Sequence, residues 1–232
     1  MSQSNNPLRQ YFRRPAIYVR LPSNGRFWAE NSLEMPENQE LPVLPMTAVD
    51  EITYRTPDAL FNGQAVVSVI ESCCPSIKNA WATPAVDIDT ILTAIRIASY
   101  GHELEIETQC PKCQHVEEYS LDLRGILDGL RLPDYDSTIK NGDLEIFFMP
   151  VTYQQIHQSN SLQFDEQRMI QMLPDSDIPE TEKVKMLADA LKKVTELTIK
   201  TLTMTISMIK TPNAMVTEPE HIADFLQNCD RS

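Results

Sequence analysis

Glycine and long hydrophobic runs are both scarce in this sequence. Only six of its 232 residues are glycine, and they form no glycine-rich loop of the kind that holds a phosphate group. The longest apolar stretches stop well short of the roughly 18 consecutive residues that a membrane helix needs, and the amino terminus lacks the apolar core of a signal peptide. We therefore expect a soluble protein that is not secreted and has no membrane span.

Motifs of the common hydrolases are absent as well. The four histidines are scattered along the chain, and neither an HExxH nor a GxSxG motif occurs. No set of residues stands out as catalytic, so we predict that the protein is not an enzyme. The five cysteines are irregularly spaced and do not resemble a disulfide framework, which favours free thiols or metal ligands.

Two of these cysteines form a CxxC motif. Cys110-Pro111-Lys112-Cys113 separates two segments in which polar and apolar residues alternate, 104–108 and 117–121. This pattern predicts a β-hairpin with the motif at its tip. Two thiolates at this spacing can bind one tetrahedral zinc ion and form half of a zinc ribbon. A thioredoxin-like redox motif fits less well, because it should open a helix, whereas the segment after Cys113 is predicted as a strand.

The sequence leaves the other ligands of such a zinc site open. There is no second CxxC motif, and the candidates are the adjacent Cys73 and Cys74 and the nearby His115. We predict a structural zinc site formed by Cys110 and Cys113 and completed by Cys74, Cys73 or His115. The alternative is a hairpin turn with two unligated thiols.

The net charge of −13 is distributed unevenly. Residues 1–29 contain five arginines and no acidic residue, whereas the rest of the chain contains 15 basic and 33 acidic residues, a net charge of −18. The acidic body should repel nucleic acid. The basic segment could bind an acidic partner or dock on the protein's own acidic surface.

Breaker residues and hydrophobic periodicity divide the chain into three parts. Residues 1–56 are rich in proline and show little periodicity, which predicts an extended basic arm with one short strand near residues 16–21. Residues 57–150 are predicted to form a mixed α+β core that carries the CxxC hairpin. Residues 151–232 are predicted to form a C-terminal helical region.

The core is predicted to contain two helices and a small antiparallel sheet. An apolar stripe predicts a first helix that ends before Pro75. A second helix is predicted to begin at Asp87, as its N-cap, and to end at Gly101, as its C-cap. Alternation recurs at residues 143–149, and we predict a three-stranded sheet made of this segment and the CxxC hairpin, since an isolated hairpin is marginally stable.

The C-terminal region is predicted to contain three helices. The first runs from Thr152 to Leu173, and a long one runs from Glu180 to Lys210. The second half of the long helix is rich in threonine, a weak helix former, so we expect neighbouring helices or subunits to support it. A capping-box pattern from Thr217 to Glu220 predicts the last, short helix.

Several segments occur in an order that resembles a known family. They are Leu44–Glu51, Pro57–Ala65, Glu71–Ile77, Asp87–Gly101 and the Cys110–Cys113 motif. Together they resemble the baseplate hub assembly proteins of T4-like contractile-tailed phages, most densely between Leu44 and Leu123. The resemblance implies a non-enzymatic virion or assembly factor that helps to build the central hub, near other hub proteins and the tape measure protein. It supplies no catalytic residues.

We therefore predict an α+β fold in which helices pack on a small antiparallel sheet with a CxxC-tipped hairpin, with an extended N-terminal arm and a long C-terminal helix. The predicted function is structural or chaperone-like in the assembly of a phage tail baseplate hub. The protein would lie in the virion tail baseplate and, during assembly, in the host cytoplasm. The alternative is a zinc-ribbon regulatory module that binds nucleic acid or protein. Removing residues 1–29 should abolish complex formation without unfolding the core.

Overall fold

Helices and short antiparallel strands alternate along the chain. The computed structural model describes residues 7–56, 63–172 and 178–229, which form seven α-helices and eight strands. This mixture confirms the predicted α+β class. Most of the family-like segment 57–65 and Leu173, the predicted end of a helix, lie outside the described residues. The chain divides into a first unit, residues 1–131, and a second unit, residues 132–232, which differs from the predicted boundary after residue 150.

The first unit begins with two paired strands and ends with a hairpin and a short helix. Its elements are β1 (Ile17–Val19), β2 (Leu41–Val43), α1 (Ala48–Arg55), α2 (Gln64–Cys73), α3 (Ala85–Tyr100), β3 (Glu103–Gln109), β4 (Val116–Asp122) and α4 (Leu123–Gly129). β1 and β2 are antiparallel and lie against α3. Val19, Leu21, Leu41 and Val43 are buried, so this part of the predicted arm contributes to the hydrophobic core of the unit.

Two of the three helix ends predicted for α2 and α3 agree with the structure. α2 ends at Cys73, before Pro75, as predicted. Gly101 is the C-cap of α3 and has a φ of 86°, a backbone conformation that favours glycine, which confirms the prediction. The predicted N-cap is wrong: Pro84 occupies that position, and Asp87 lies fully buried in the first turn, where its carboxylate bonds to residues of the amino-terminal segment.

A two-stranded antiparallel ribbon, β3 and β4, flanks the CxxC motif. All seven residues of each strand are paired, from Glu103 opposite Asp122 to Gln109 opposite Val116. Both faces of the ribbon are exposed along most of its length, and no third strand joins it among the described residues. The predicted three-stranded sheet is therefore wrong, because the alternating segment at 143–149 pairs with strands of the second unit.

A four-stranded antiparallel sheet organises the second unit. Its elements are β5 (Ile139–Asn141), β6 (Leu144–Phe148), α5 (Tyr153–Met172), α6 (Glu180–Thr205), β7 (Ile206–Lys210), β8 (Met215–Val216) and α7 (Pro219–Asn228), with the strands in the order β5-β6-β7-β8. α5 and α6 connect the adjacent strands β6 and β7 and pack against each other. Where the two helices leave and rejoin the sheet, the Met149 amide donates to the Thr205 carbonyl at 2.9 Å.

The long helix α6 is shorter than predicted. It ends at Thr205, and residues 206–210 form β7 instead of the last helical turns. The β-branched Ile206 and Ile209 favour a strand, and in the sheet Ile209 lies opposite Ile146 of β6. This pairing with a strand distant in sequence decides the conformation of a segment whose local apolar spacing also fits a helix.

Three isoleucines form the buried core of the second unit. They are Ile206, Ile209 and Ile222, and the side chains that pack against them are Leu144, Ile146, Phe148, Val216, Phe225 and Leu226. The apolar face predicted for α7 thus lies in this core. The predicted capping box is wrong, because Glu218 is the N-cap of α7 and its carboxylate accepts from the Thr217 amide instead of capping the helix.

Candidate functional site

Two of the predicted metal ligands, Cys73 and Cys74, are buried in the first unit. Arg13 lies beside Cys73, with its Nη1 atom 3.9 Å from the Cys73 sulfur and 3.1 Å from the Asp50 carboxylate. Its Nη2 atom donates to the carbonyl and the hydroxyl of Ser72, both at 2.8 Å. Burial raises the pKa of Cys73 to about 11 and the pKa of Cys74 to about 12. Both are therefore protonated thiols at neutral pH, and Cys73 packs beside Arg13.

The other two predicted ligands, Cys110 and Cys113, lie in the turn between β3 and β4. The Cys110 amide donates to the His115 carbonyl at 2.8 Å, and the Gln114 amide donates to the Cys110 carbonyl at 2.9 Å. Hydrogen bonding by the Cys113 and Lys112 backbone lowers the pKa of Cys110. Gln114 has a φ of 60°, which is uncommon for a residue with a side chain. The backbone hydrogen bonds of Cys110 and Gln114 thus close the turn that carries both thiols.

The turn provides two thiols and no further ligand within the described chain. Across residues 7–56, 63–172 and 178–229, no three His, Cys, Asp or Glu side chains are grouped to hold a metal ion. Neither the buried pair Cys73 and Cys74 nor His115 therefore completes a site with Cys110 and Cys113 in this structure. Zinc binding at the turn stays a prediction.

The two faces of the β3–β4 ribbon differ in chemistry. One face carries the apolar side chains Leu104, Ile106, Tyr119 and Leu121, which pair across the strands. The opposite face is acidic and includes Glu107 directly opposite Glu118, a like-charge pair that destabilises the ribbon. Both faces are largely exposed, so the ribbon contributes little burial of its own.

Charge decides which partners the ribbon can attract. Residues 103–122 contain six acidic residues and one lysine, Lys112. Such a surface repels the phosphate backbone of nucleic acid, whose binding depends on neutralisation by lysine and arginine. This charge argues against the alternative of a zinc-ribbon module that binds nucleic acid.

In the second unit, the α5–α6 pair exposes many apolar side chains. Val184, Leu187 and Leu191 follow one another at helical spacing on α6 and are 65%, 40% and 54% exposed. We call these three residues the apolar stripe. On α5, Leu162 and Phe164 are half-exposed. Large exposed apolar patches on soluble proteins mark surfaces that bind other molecules.

A shallow groove also lies between the same two helices, at positions other than those of the apolar stripe. It has a volume of about 320 Å³ and is lined by residues that include Leu162, Leu197, Met204, His157 and Lys200. The threonines of α6 do not open the helix here, because the hydroxyls of Thr195, Thr198, Thr201 and Thr203 donate to carbonyls one turn earlier. The α5–α6 pair therefore has regular helical backbone along the groove, and the groove itself is partly apolar.

One known protein family matches most of this chain. A family model described as T4 bacteriophage base plate protein matches residues 30–226, which include parts of both units. The chain belongs to this family. No curated protein and no solved structure matches the chain.

Membership in the T4 base plate protein family gives the protein a structural role in the phage baseplate, a multi-subunit assembly of the virion tail. It confirms the resemblance drawn from the sequence at the level of the baseplate, and a structural family indicates a non-enzymatic role. In the described parts of the chain, no helix combines the length and the hydrophobicity needed to cross a membrane. The five arginines of residues 1–29 lie outside the matched range.

Asp87 fixes the amino-terminal segment of this baseplate protein to α3. Its carboxylate accepts the Ser23 amide at 2.9 Å, the Ser23 hydroxyl at 2.5 Å and the Trp28 indole N–H at 2.8 Å. Burial raises the pKa of Asp87, and the three hydrogen bonds oppose that rise. The sequence signals only a cap at this position, because Ser23 and Trp28 lie 64 and 59 positions earlier.

This contact changes the expected result of removing residues 1–29. The deletion takes away the buried Leu21 together with Ser23 and Trp28. It leaves the buried Asp87 carboxylate without these donors, which is costly. We now expect the deletion to unfold the first unit, contrary to the expectation of an intact core.

Proposed function

We propose that this baseplate protein is a structural or chaperone-like component of hub assembly that binds other hub proteins or the tape measure protein. In this proposal it acts in the host cytoplasm while the baseplate is built. The main support for this proposal is the exposed apolar stripe of α6. A protein without a partner gains no stability from exposing Val184, Leu187 and Leu191 to water.

The shape of the α5–α6 surface suits an amphipathic helix of the partner. Helices of this kind lay their apolar face into a groove and use side chains spaced by three or four residues as anchors. Val184, Leu187 and Leu191 of the apolar stripe offer contacts at this spacing. Since the contacts are mainly apolar, the affinity should depend weakly on salt.

The double substitution Val184→Glu and Leu191→Glu tests the stripe. Both side chains are exposed, so the fold should tolerate the change, whereas two carboxylates buried against an apolar partner surface are unfavourable. We expect the affinity for the partner to fall at least tenfold. The measurement is isothermal titration with the hub proteins and the tape measure protein of the same phage, each purified separately.

The matched control is Lys185→Glu with Lys192→Glu. It introduces the same residue twice, at the same spacing on α6, at two exposed positions next to the stripe. The control should bind the partner with nearly unchanged affinity, and circular dichroism should show equal helix content in both double variants. Equal affinity of the stripe variant and the wild type for the partner would show that the stripe does not contact the partner.

The amino-terminal segment provides a second test. Tyr11 and Phe12 are 77% and 56% exposed, and Arg9 is exposed as well. Deletion of residues 1–11 removes Arg9 and Tyr11 but keeps Arg13 with its contacts to Ser72. We expect the fold to persist and the binding of an acidic partner surface to weaken several-fold at low salt. Unchanged affinity at every salt concentration would show that this segment does not contact the partner.

A further inference from the structure

The turn between β3 and β4 has the properties of one half of a tetrahedral zinc site. Backbone hydrogen bonds close the turn on both sides of the motif, from the Cys110 amide to the His115 carbonyl and from the Gln114 amide to the Cys110 carbonyl. Cys113 is exposed and Cys110 partly so. Both thiols thus lie in one short turn that is closed by the local backbone and accessible from outside the first unit.

The chain itself does not provide the other half. A structural zinc ion takes four ligands, with each thiolate sulfur about 2.3 Å from the metal. Cys73 and Cys74 are fully buried, and no third ligand stands with Cys110 and Cys113 in the described chain. A second copy of the same turn supplies two more thiolates with the same spacing. We propose that two copies of this protein bind one zinc ion between their hairpin tips, through Cys110 and Cys113 of each.

The charge of the hairpins makes this pairing depend on the metal. Each hairpin has six acidic residues and a single lysine, Lys112, which lies within the motif, so two tips without metal repel each other. Binding replaces four thiol protons by one Zn²⁺ ion and releases four protons, and the resulting four-thiolate centre has a charge of −2. The two Lys112 side chains offset that charge. The pairing should therefore weaken as the pH falls.

The metal would also stabilise the β3–β4 ribbon. The ribbon is exposed on both faces, and an isolated two-stranded hairpin is marginally stable in water. A zinc ion that joins two tips closes the open end of both ribbons and reduces their freedom. Zinc is accordingly expected to slow hydrogen exchange of the β3 and β4 amides.

Sedimentation velocity and metal analysis of the full-length protein test this proposal. Protein prepared anaerobically with reductant should contain one zinc per two chains and sediment as a dimer, and a chelator should convert it to a monomer. Cys110→Ser and Cys113→Ser should each weaken the zinc-dependent dimer at least a hundredfold. Cys229→Ser is the matched control, because Cys229 is also exposed but lies outside the hairpin, and its dimer should persist.

Four results would overturn the proposal. They are one zinc per monomer, a dimer that survives the chelator, protein with no stoichiometric zinc, and a Cys110–Cys113 disulfide in zinc-free protein. Cobalt(II) in place of zinc provides an independent readout, since thiolate-to-cobalt absorption should appear at one metal per two chains and be lost in Cys110→Ser. Circular dichroism of the serine variants should match the wild type, because both cysteines lie in an exposed turn.

Discussion

Replacing Asp87 with alanine should lower the free energy of unfolding of the first unit by about 3 kcal/mol. The substitution removes the only acceptor found for the Ser23 hydroxyl and the Trp28 indole N–H in the described structure. These donors then lie in or near the core without a partner, and each such loss to a charged acceptor costs about 1.5 to 3 kcal/mol. The segment from β1 to Trp28 thus loses the hydrogen bonds that attach it to α3.

Tryptophan fluorescence in a urea titration measures this effect selectively. The chain has two tryptophans, Trp28 and Trp81, and both belong to the first unit. The matched control is Asp89→Ala, which makes the same change two residues further along α3 at an exposed position and should alter stability by less than about 0.5 kcal/mol. Equal midpoints for the Asp87 and Asp89 variants would show that the buried carboxylate does not hold the segment.

Replacing Ile222 with alanine should destabilise the second unit by about 3 kcal/mol. Ile222 is 1% exposed and is the residue of α7 that belongs to the buried cluster with Ile206 and Ile209 of β7, against which Phe225 and Leu226 also pack. Truncation leaves a cavity between the helix and the sheet, and isoleucine-to-alanine changes in cores cost about 2 to 5 kcal/mol. Much of the contact between α7 and the sheet depends on this one side chain.

Hydrogen exchange of the β7 amides is the appropriate measurement, because the second unit has no tryptophan. A loss of about 3 kcal/mol corresponds to roughly a hundredfold faster exchange through global opening of the unit. Ile139→Ala is the control, since Ile139 of β5 is largely exposed. Exchange of β7 that stays at the wild-type rate in Ile222→Ala would contradict the assignment of Ile222 to the centre of this core.

Local signals predicted the features that depend on neighbouring residues. The end of α2 follows from Pro75, which disfavours helical backbone at Cys74. The end of α3 follows from Gly101, which accepts a positive φ. The apolar face of α7 follows from the helical spacing of Ile222, Phe225 and Leu226. In each case the physical cause lies within a few residues of the feature.

Features that depend on distant partners could not be predicted in the same way. β6 and β7 pair although α5 and α6 separate them, so residues 206–210 looked like the end of a helix. Asp87 looked like a cap because its donors are 59 and 64 positions away. The segment rich in proline and arginine was predicted as an extended arm, although Leu21 is buried in the core of the first unit. Long-range contacts of this kind leave no periodicity in the local sequence.

The candidate site also combines features that depend on neighbouring residues with features that depend on distant ones. The spacing of Cys110 and Cys113 indicates a close pair of thiols, and the structure holds both in one turn. Cys73 and Cys74 were predicted as further ligands because the sequence has no second CxxC motif, but both side chains are buried in the core. Whether a thiol is buried depends on packing that composition and spacing do not encode. The sequence likewise indicated a long apolar helix with neighbours but not which part of it is exposed, since an apolar helical pattern is the same for a buried and an exposed face.

The hydrogen bond between the Met149 amide and the Thr205 carbonyl joins the two ends of the segment that contains α5 and α6. The Met149 nitrogen, four residues before α5, and the Thr205 oxygen, in the last residue of α6, are only 2.9 Å apart. A short turn could therefore replace the segment between them without moving β6 or β7. Related phages could have a longer, shorter or different helical segment at this position, suited to different partners, on the same four-stranded sheet. A chimera with the helical pair of another family member would carry the donor's partner preference on the recipient's scaffold.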